Sequence, residues 1–109
     1  MPLDLPDPLP RYFAAQNALD AELMTACFAP DAVVHDEGGT YTGSEAIRDW
    51  KQDTIAKYGI SIDPLKATRQ DNHTVVVARV AGNFPGSPAD LTYAFSVSPD
   101  GLIQTLDIH

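Results

Sequence analysis

The sequence predicts a single α+β domain in which three helices in the N-terminal half pack on a curved, mostly antiparallel sheet. Two observations carry that prediction. Apolar residues recur at helical spacing only between residues 8 and 59, whereas residues 60–109 break into β-type segments separated by Gly, Pro, Asn and Asp. Helices first and strands last place the helices on one face of a sheet. A length of 109 residues with 44% hydrophobic content supports one core and no second domain, so residues 1–109 are read as one unit.

Residues 1–7 are expected to be an extended lead-in, because closely spaced prolines withhold amide donors and disfavour helical geometry in the residue before them. Helix one is expected to start near Asp7 or Pro8, with Asp7 as cap and Leu9, Tyr12, Phe13 and Gln16 on one face. Asp20 caps a second helix, in which Leu23, Met24, Cys27 and Phe28 form a face before Pro30 stops it. Residues 31–43 read as a strand, a Gly38-Gly39 turn and a short return strand. Ser44 is the expected cap of a third helix with Ile47, Trp50, Thr54 and Tyr58 on one face and Gly59 as its stop.

Four β segments follow, over residues 60–69, 73–84, 91–98 and 102–109. In the third, Leu91, Tyr93, Phe95 and Val97 alternate with Thr92, Ala94, Ser96 and Ser98, which gives that strand a definite inner face. The chain shows no internal repeat.

Fifteen acidic against seven basic residues give a formal charge of −8, which argues against attraction to a nucleic-acid backbone or an anionic membrane. Cys27 is the single cysteine, so no internal disulfide forms and no Cys/His spacing indicates zinc. The start "MPLDLPDPLP" is unlike a secretory leader, and no apolar run approaches about 18 residues. A cytoplasmic location, no metal and no cofactor are the resulting expectations.

Titratable side chains concentrate in "DAVVHDEGG" at residues 31–39. In an extended strand Asp36 shares a face with Val34, while His35 and Glu37 share the other with Val33. Both faces carry a valine, so the local pattern leaves the facing open. Asp36 before a Gly-Gly turn also suits a strand end bonded to the turn backbone. His35, His73 and His109 fall on a strand, a turn and the last position, a poor metal set. Arg79 shares parity with Val75 and Val77, which reads as a surface or interface position.

The stretch "FAPDAVVHDEGGTYTGSEAIRDW" after two helices, with "DGLIQTLDIH" at the end, resembles the nuclear transport factor 2-like superfamily, in particular its SnoaL-like polyketide cyclase and ketosteroid isomerase branches. The resembling elements are "F-A-x-D-A" before the first strand, "Y-x-G-x-E-A-I-R-x-W" into the third helix and "D-G-x-I" into the last strand. This resemblance implies a cone-shaped α+β barrel whose open end is an apolar cavity, and homodimers paired through the outer sheet face. Because the sequence ends directly after the last predicted strand, it also implies a more open cavity than in longer relatives.

By position, the ketosteroid isomerase pattern puts Asp36 at the general base, facing the cavity, and sends His35 and Glu37 outward. Tyr12 falls where that family has its oxyanion-binding tyrosine. Tyr93 falls where it has a protonated aspartate, a departure in type, although a phenol donates the same hydrogen bond without a raised pKa. The helix faces, and the strand parity shared with Asp36 and Tyr93, give Phe13, Phe28, Val34, Trp50, Leu91, Phe95, Leu106 and Ile108 as the expected walls of that cavity.

Two functions follow from the resemblance. One is an isomerase or cyclase that takes a proton next to a carbonyl of an apolar small molecule, with Asp36, Tyr12 and Tyr93 as catalytic residues. The alternative is a non-catalytic small-molecule-binding or dimerisation module. An Asp36, Arg79, Asp107 set of the limonene epoxide hydrolase kind is disfavoured by parity.

Overall fold

A computed structural model describes residues 5–36 and 38–109, so Glu37 and residues 1–4 of the lead-in lie outside the described residues. The chain runs α1 (Leu9–Asn17), α2 (Ala21–Ala26), β1 (Phe28–Asp36), β2 (Gly39–Thr42), α3 (Ser44–Tyr58), β3 (Ser61–Gln70), β4 (His73–Ala81), β5 (Ala89–Val97) and β6 (Ile103–Ile108). One six-stranded sheet has the order β2-β1-β6-β5-β4-β3. All neighbours are antiparallel except β1 and β6, which run parallel. The three helices cover its concave face.

Asp20 caps α2 as expected, its carboxylate accepting from the Leu23 amide at 3.1 Å. The end of that helix differs from expectation. Phe28 already belongs to β1, paired with Ile103, and the Ile103 amide donates to the Cys27 carbonyl at 2.8 Å. Tertiary strand pairing therefore ends the helix before Pro30 does. Pro30 sits instead inside β1, where the register slips between Phe28 and Val33 and a missing N–H is tolerated. Leu23, expected on the packed face, is 58% exposed.

Two expected caps also move. Pro8, not Asp7, occupies the cap position of α1 and has no side-chain acceptor to offer, while the Leu9 amide donates to the Pro6 carbonyl at 3.0 Å. Gly43 precedes α3 in place of Ser44. Its φ of 88° makes the turn out of β2, so Ser44 is already the first helical residue. Gly59 ends α3 at φ 57°, its amide returning to the Ile55 carbonyl.

Side chains at the end of α1 fasten it to the far edge of the sheet. Asn17 accepts from the Ile62 amide at 2.7 Å and donates to the Ile62 carbonyl at 2.9 Å, completing a strand-like pair with β3. Gln16 donates to the Ile60 carbonyl at 3.1 Å. At the same end of the sheet, the Asn83 amide donates to the Tyr58 carbonyl at 2.8 Å, which ties the β4–β5 connection to the end of α3. No helix among the described residues is long and apolar enough to cross a membrane.

Asn17→Ala removes both bonds to buried Ile62 and is expected to lower unfolding free energy by about 1–3 kcal/mol in urea titration, since two main-chain groups lose their partners. An unchanged midpoint and slope would show that α1 is held by apolar packing alone.

Candidate functional site

Strand parity now decides what faces inward. Val34 pairs with Leu106 and His35 with Asp107 across the parallel ladder, while Phe95 pairs with Leu106 and Tyr93 with Ile108 across β5–β6. Val34, Asp36, Leu106, Ile108, Tyr93 and Phe95 therefore project from the concave face, and His35, Asp107 and Arg79 from the convex one. His35 is exposed, with Nδ1 3.1 Å from the Thr40 hydroxyl and Nε2 4.0 Å from Asp107. Arg79 is exposed and paired with Asp90 at 3.0 Å. Asp36, Arg79 and Asp107 thus do not converge. Among the described residues no group of three His, Cys, Asp or Glu side chains is placed to hold a metal ion.

The concave face is filled at one end and open at the other. Tyr12, Phe13, Phe28 and Phe95 interlock edge to face, with ring centroids 5.5 to 5.8 Å apart for Tyr12–Phe13, Tyr12–Phe28, Tyr12–Phe95 and Phe13–Phe95. Past this plug lies a cavity of about 340 Å³. Its polar lining is Gln16, Asp36, Lys51, Thr54, Tyr58 and Tyr93. Its apolar lining is Trp50, Ile60, Val80, Phe84, Pro85, Leu91 and Ile108.

Of the walls expected from the sequence, Trp50, Leu91 and Ile108 line this cavity. Phe13, Phe28, Val34, Phe95 and Leu106 do not; they are buried in the core behind it. Helix face and strand parity fix the side a residue points from but not its depth along the cone, and these five lie toward the filled end. Asp36 and Tyr93 line the cavity together. Tyr12 is fully buried behind it, with a hydroxyl that has no hydrogen-bond partner among the described residues.

Asp36, the last residue of β1, is oriented from α3: the Trp50 indole N–H donates to its Oδ2 at 3.1 Å. Trp50 is itself held by Tyr41 of β2, stacked at 5.5 Å with an interplanar angle of 21°. Burial pushes the Tyr93 phenol well above the usual tyrosine range, and the Asp36 carboxylate adds to the shift. Tyr12 is raised by burial first, then by Tyr93 and Asp36. Both phenols stay protonated, as a hydrogen-bond donor must.

Lys51 was not among the residues expected from the sequence. It is 3% exposed, donates to Gln16 Oε1 at 3.0 Å, and holds Nζ 4.0 Å from the Trp50 ring and 5.0 Å from the Tyr12 ring. Burial lowers its pKa from 10.5 to about 7, a shift that the negative field of Asp36 partly opposes. A signal for it existed: Lys51 lies one turn after Ile47 and one turn before Thr54, inside the apolar stripe of α3.

The SnoaL-like domain profile matches residues 9–104 of this chain. The protein belongs to the SnoaL-like domain family. Among solved structures, a Sinorhizobium meliloti protein carrying the provisional name of polyketide cyclase is 40% identical, with a TM-score of 0.93 and alignment over 97% of this chain and 96% of that one. A Catenulispora acidiphila protein of ketosteroid isomerase-like fold, solved with trimethylamine, is 23% identical at a TM-score of 0.85, covering 97% and 86%. The epoxide hydrolase/cyclase-like enzyme SalBIII of pyran-ring formation in salinomycin is 16% identical at 0.81, covering 92% and 84%. These last two share the fold. No functionally curated protein matches the sequence.

Two expectations follow for this SnoaL-like domain. Between pH 7 and 10 the unfolded chain keeps a proton on Lys51 that the folded chain has released, so stability should rise with pH over that window. Thermal unfolding at pH 7 and 9 should show this rise, and Lys51→Met should flatten it. Above pH 10 the raised phenols of Tyr12 and Tyr93 act in the opposite sense, because the unfolded chain then loses their protons first. Tyr12→Phe removes a buried hydroxyl without a described partner, and its unfolding free energy from urea titration should fall by less than about 1 kcal/mol or rise.

Proposed function

We propose that this domain is an isomerase or cyclase that takes a proton from carbon next to a carbonyl of an apolar small molecule. The observation that carries the reading is a carboxylate, Asp36, oriented by Trp50 on the wall of an apolar cavity that it shares with the Tyr93 phenol. Asp36 accepts the α-proton, the C–H electron pair becomes the enolate double bond, and charge moves to the carbonyl oxygen. Tyr93 donates to that oxygen, and the Tyr12 hydroxyl, buried behind the cavity lining, becomes the second donor where the bound molecule opens a path to it. In an isomerase the proton returns at another carbon; in a cyclase the enolate carbon attacks a second carbonyl of the same molecule.

The provisional cyclase name of the 40% identical relative favours the cyclase branch. Pairing of two copies through the convex sheet face, where Val75 is 40% exposed, belongs to the same reading. The alternative is a binding module whose cavity holds a ligand without turning it over.

A screen of enones and β-dicarbonyls provides the substrate for the test. With that substrate, Asp36→Asn should lower kcat by about 10²- to 10⁴-fold while the far-ultraviolet spectrum is unchanged. Tyr93→Phe should lower it by about 10²- to 10³-fold. Ligand binding that survives Asp36→Asn without any turnover in the unmodified protein would select the binding module.

A further inference from the structure

We propose that Lys51 is an amine nucleophile that captures aldehydes and ketones entering the cavity as an imine. Among the residues lining the cavity it is the one basic side chain, set on its wall together with Asp36 and Tyr93. Its amine is held away from water, the residue being 3% exposed. The described hydrogen bond of Nζ goes to the neutral amide oxygen of Gln16, and that amide is fixed because its nitrogen is committed to the Ile60 carbonyl. Nζ also faces the rings of Trp50 and Tyr12, contacts that fix its position and themselves favour the charged form, so the lowering of its pKa is the work of burial.

Burial lowers the Lys51 pKa to about 7, so near neutral pH a large share of the side chain is free amine. An ordinary lysine, with a pKa of about 10.4, is uncharged in roughly one molecule per thousand at pH 7.5. Desolvation in an apolar pocket is a recognised way to make a lysine nucleophilic.

The chemistry needs no oxidant or reductant. The Nζ lone pair forms a C–N bond to the carbonyl carbon while the carbonyl π pair moves to oxygen. That oxygen gains a proton as nitrogen loses one, which gives a carbinolamine. Loss of the hydroxyl with a second proton releases one water and leaves C=N. Asp36 and Tyr93, on the same cavity wall, are the groups able to carry these protons.

Protonated, the imine is a stronger electron sink than the parent carbonyl, so Asp36 then removes an α-proton to give an enamine. That last consequence rests on the proton-abstraction reading above; the capture itself does not.

The test is reductive trapping with benzaldehyde and sodium cyanoborohydride at pH 7.5, followed by intact mass and peptide mapping. Lys51, Lys57 and Lys66 are the three lysines, so the competing amines are few. The expected product gains the mass of the aldehyde less one oxygen, with label at Lys51 exceeding that at Lys57 and Lys66 by about tenfold. Excess benzyl alcohol, which has the shape without the carbonyl, should suppress it. Lys51→Arg, checked for folding by circular dichroism, should abolish it, whereas Asp36→Asn, which removes one of the two proton carriers, should slow it without moving the label away from Lys51. Label confined to the terminal amine, Lys57 and Lys66 overturns the proposal; this readout stands on the unmodified protein if the Lys51 variant does not fold.

Discussion

Parallel pairing between β1 and β6 is the constraint on which the rest of the molecule depends. It joins the N-terminal half of the chain to its last strand and fixes the relative register of Val34 with Leu106 and His35 with Asp107. Because side chains alternate across a strand, that register sends Asp36 inward and His35 outward in one stroke, and a slip of one residue would exchange them. The pairing also takes Phe28 out of helical geometry and places it in the aromatic plug. A local segment with a valine on each face acquires a definite inside only through a partner more than seventy residues away.

The cone is then divided by depth. Aromatic edge-to-face packing closes one end, and the open end is bordered by Asp36 and Ile108 at the ends of β1 and β6, by Leu91 and Tyr93 in β5, and by the end of α3. Hydrogen bonds to main-chain groups hold that border: Gln16 on Ile60, and Asn83 on Tyr58. The polar groups of the cavity are thus fastened to rigid elements rather than to free loops, the arrangement that preserves their mutual geometry.

Much of this was legible in the sequence. Period 3.6 over residues 44–58 and period 2 over residues 91–97 located α3 and the inner face of β5, and the family resemblance supplied the facing of Asp36. Two kinds of information were not. Depth along the cone leaves no trace in a helix face or in strand parity, so Phe13, Phe28, Val34, Phe95 and Leu106 read as walls although they form the core. The burial of the Lys51 amine is not legible in the sequence, because lysine is ordinarily a solvent residue and its long stem can lie along an apolar stripe with the charge in water. The acceptor that admits its amine, Gln16, comes from a different helix and is invisible to local pattern. Ser44 and Asp7 looked like caps by residue type, yet those cap positions fall to Gly43 and Pro8.

The contact between Trp50 and Asp36 has an optical consequence. Trp50 is the one tryptophan of the chain, and its indole is hydrogen-bonded to the carboxylate, stacked on Tyr41 and adjacent to the Lys51 nitrogen. Indole emission responds to the charge and polarity around the ring. The molecule therefore carries a single built-in chromophore whose immediate neighbours are the groups that change when the cavity is occupied or its protons move. Occupancy and protonation can be followed on the unlabelled protein, with no other tryptophan contributing background.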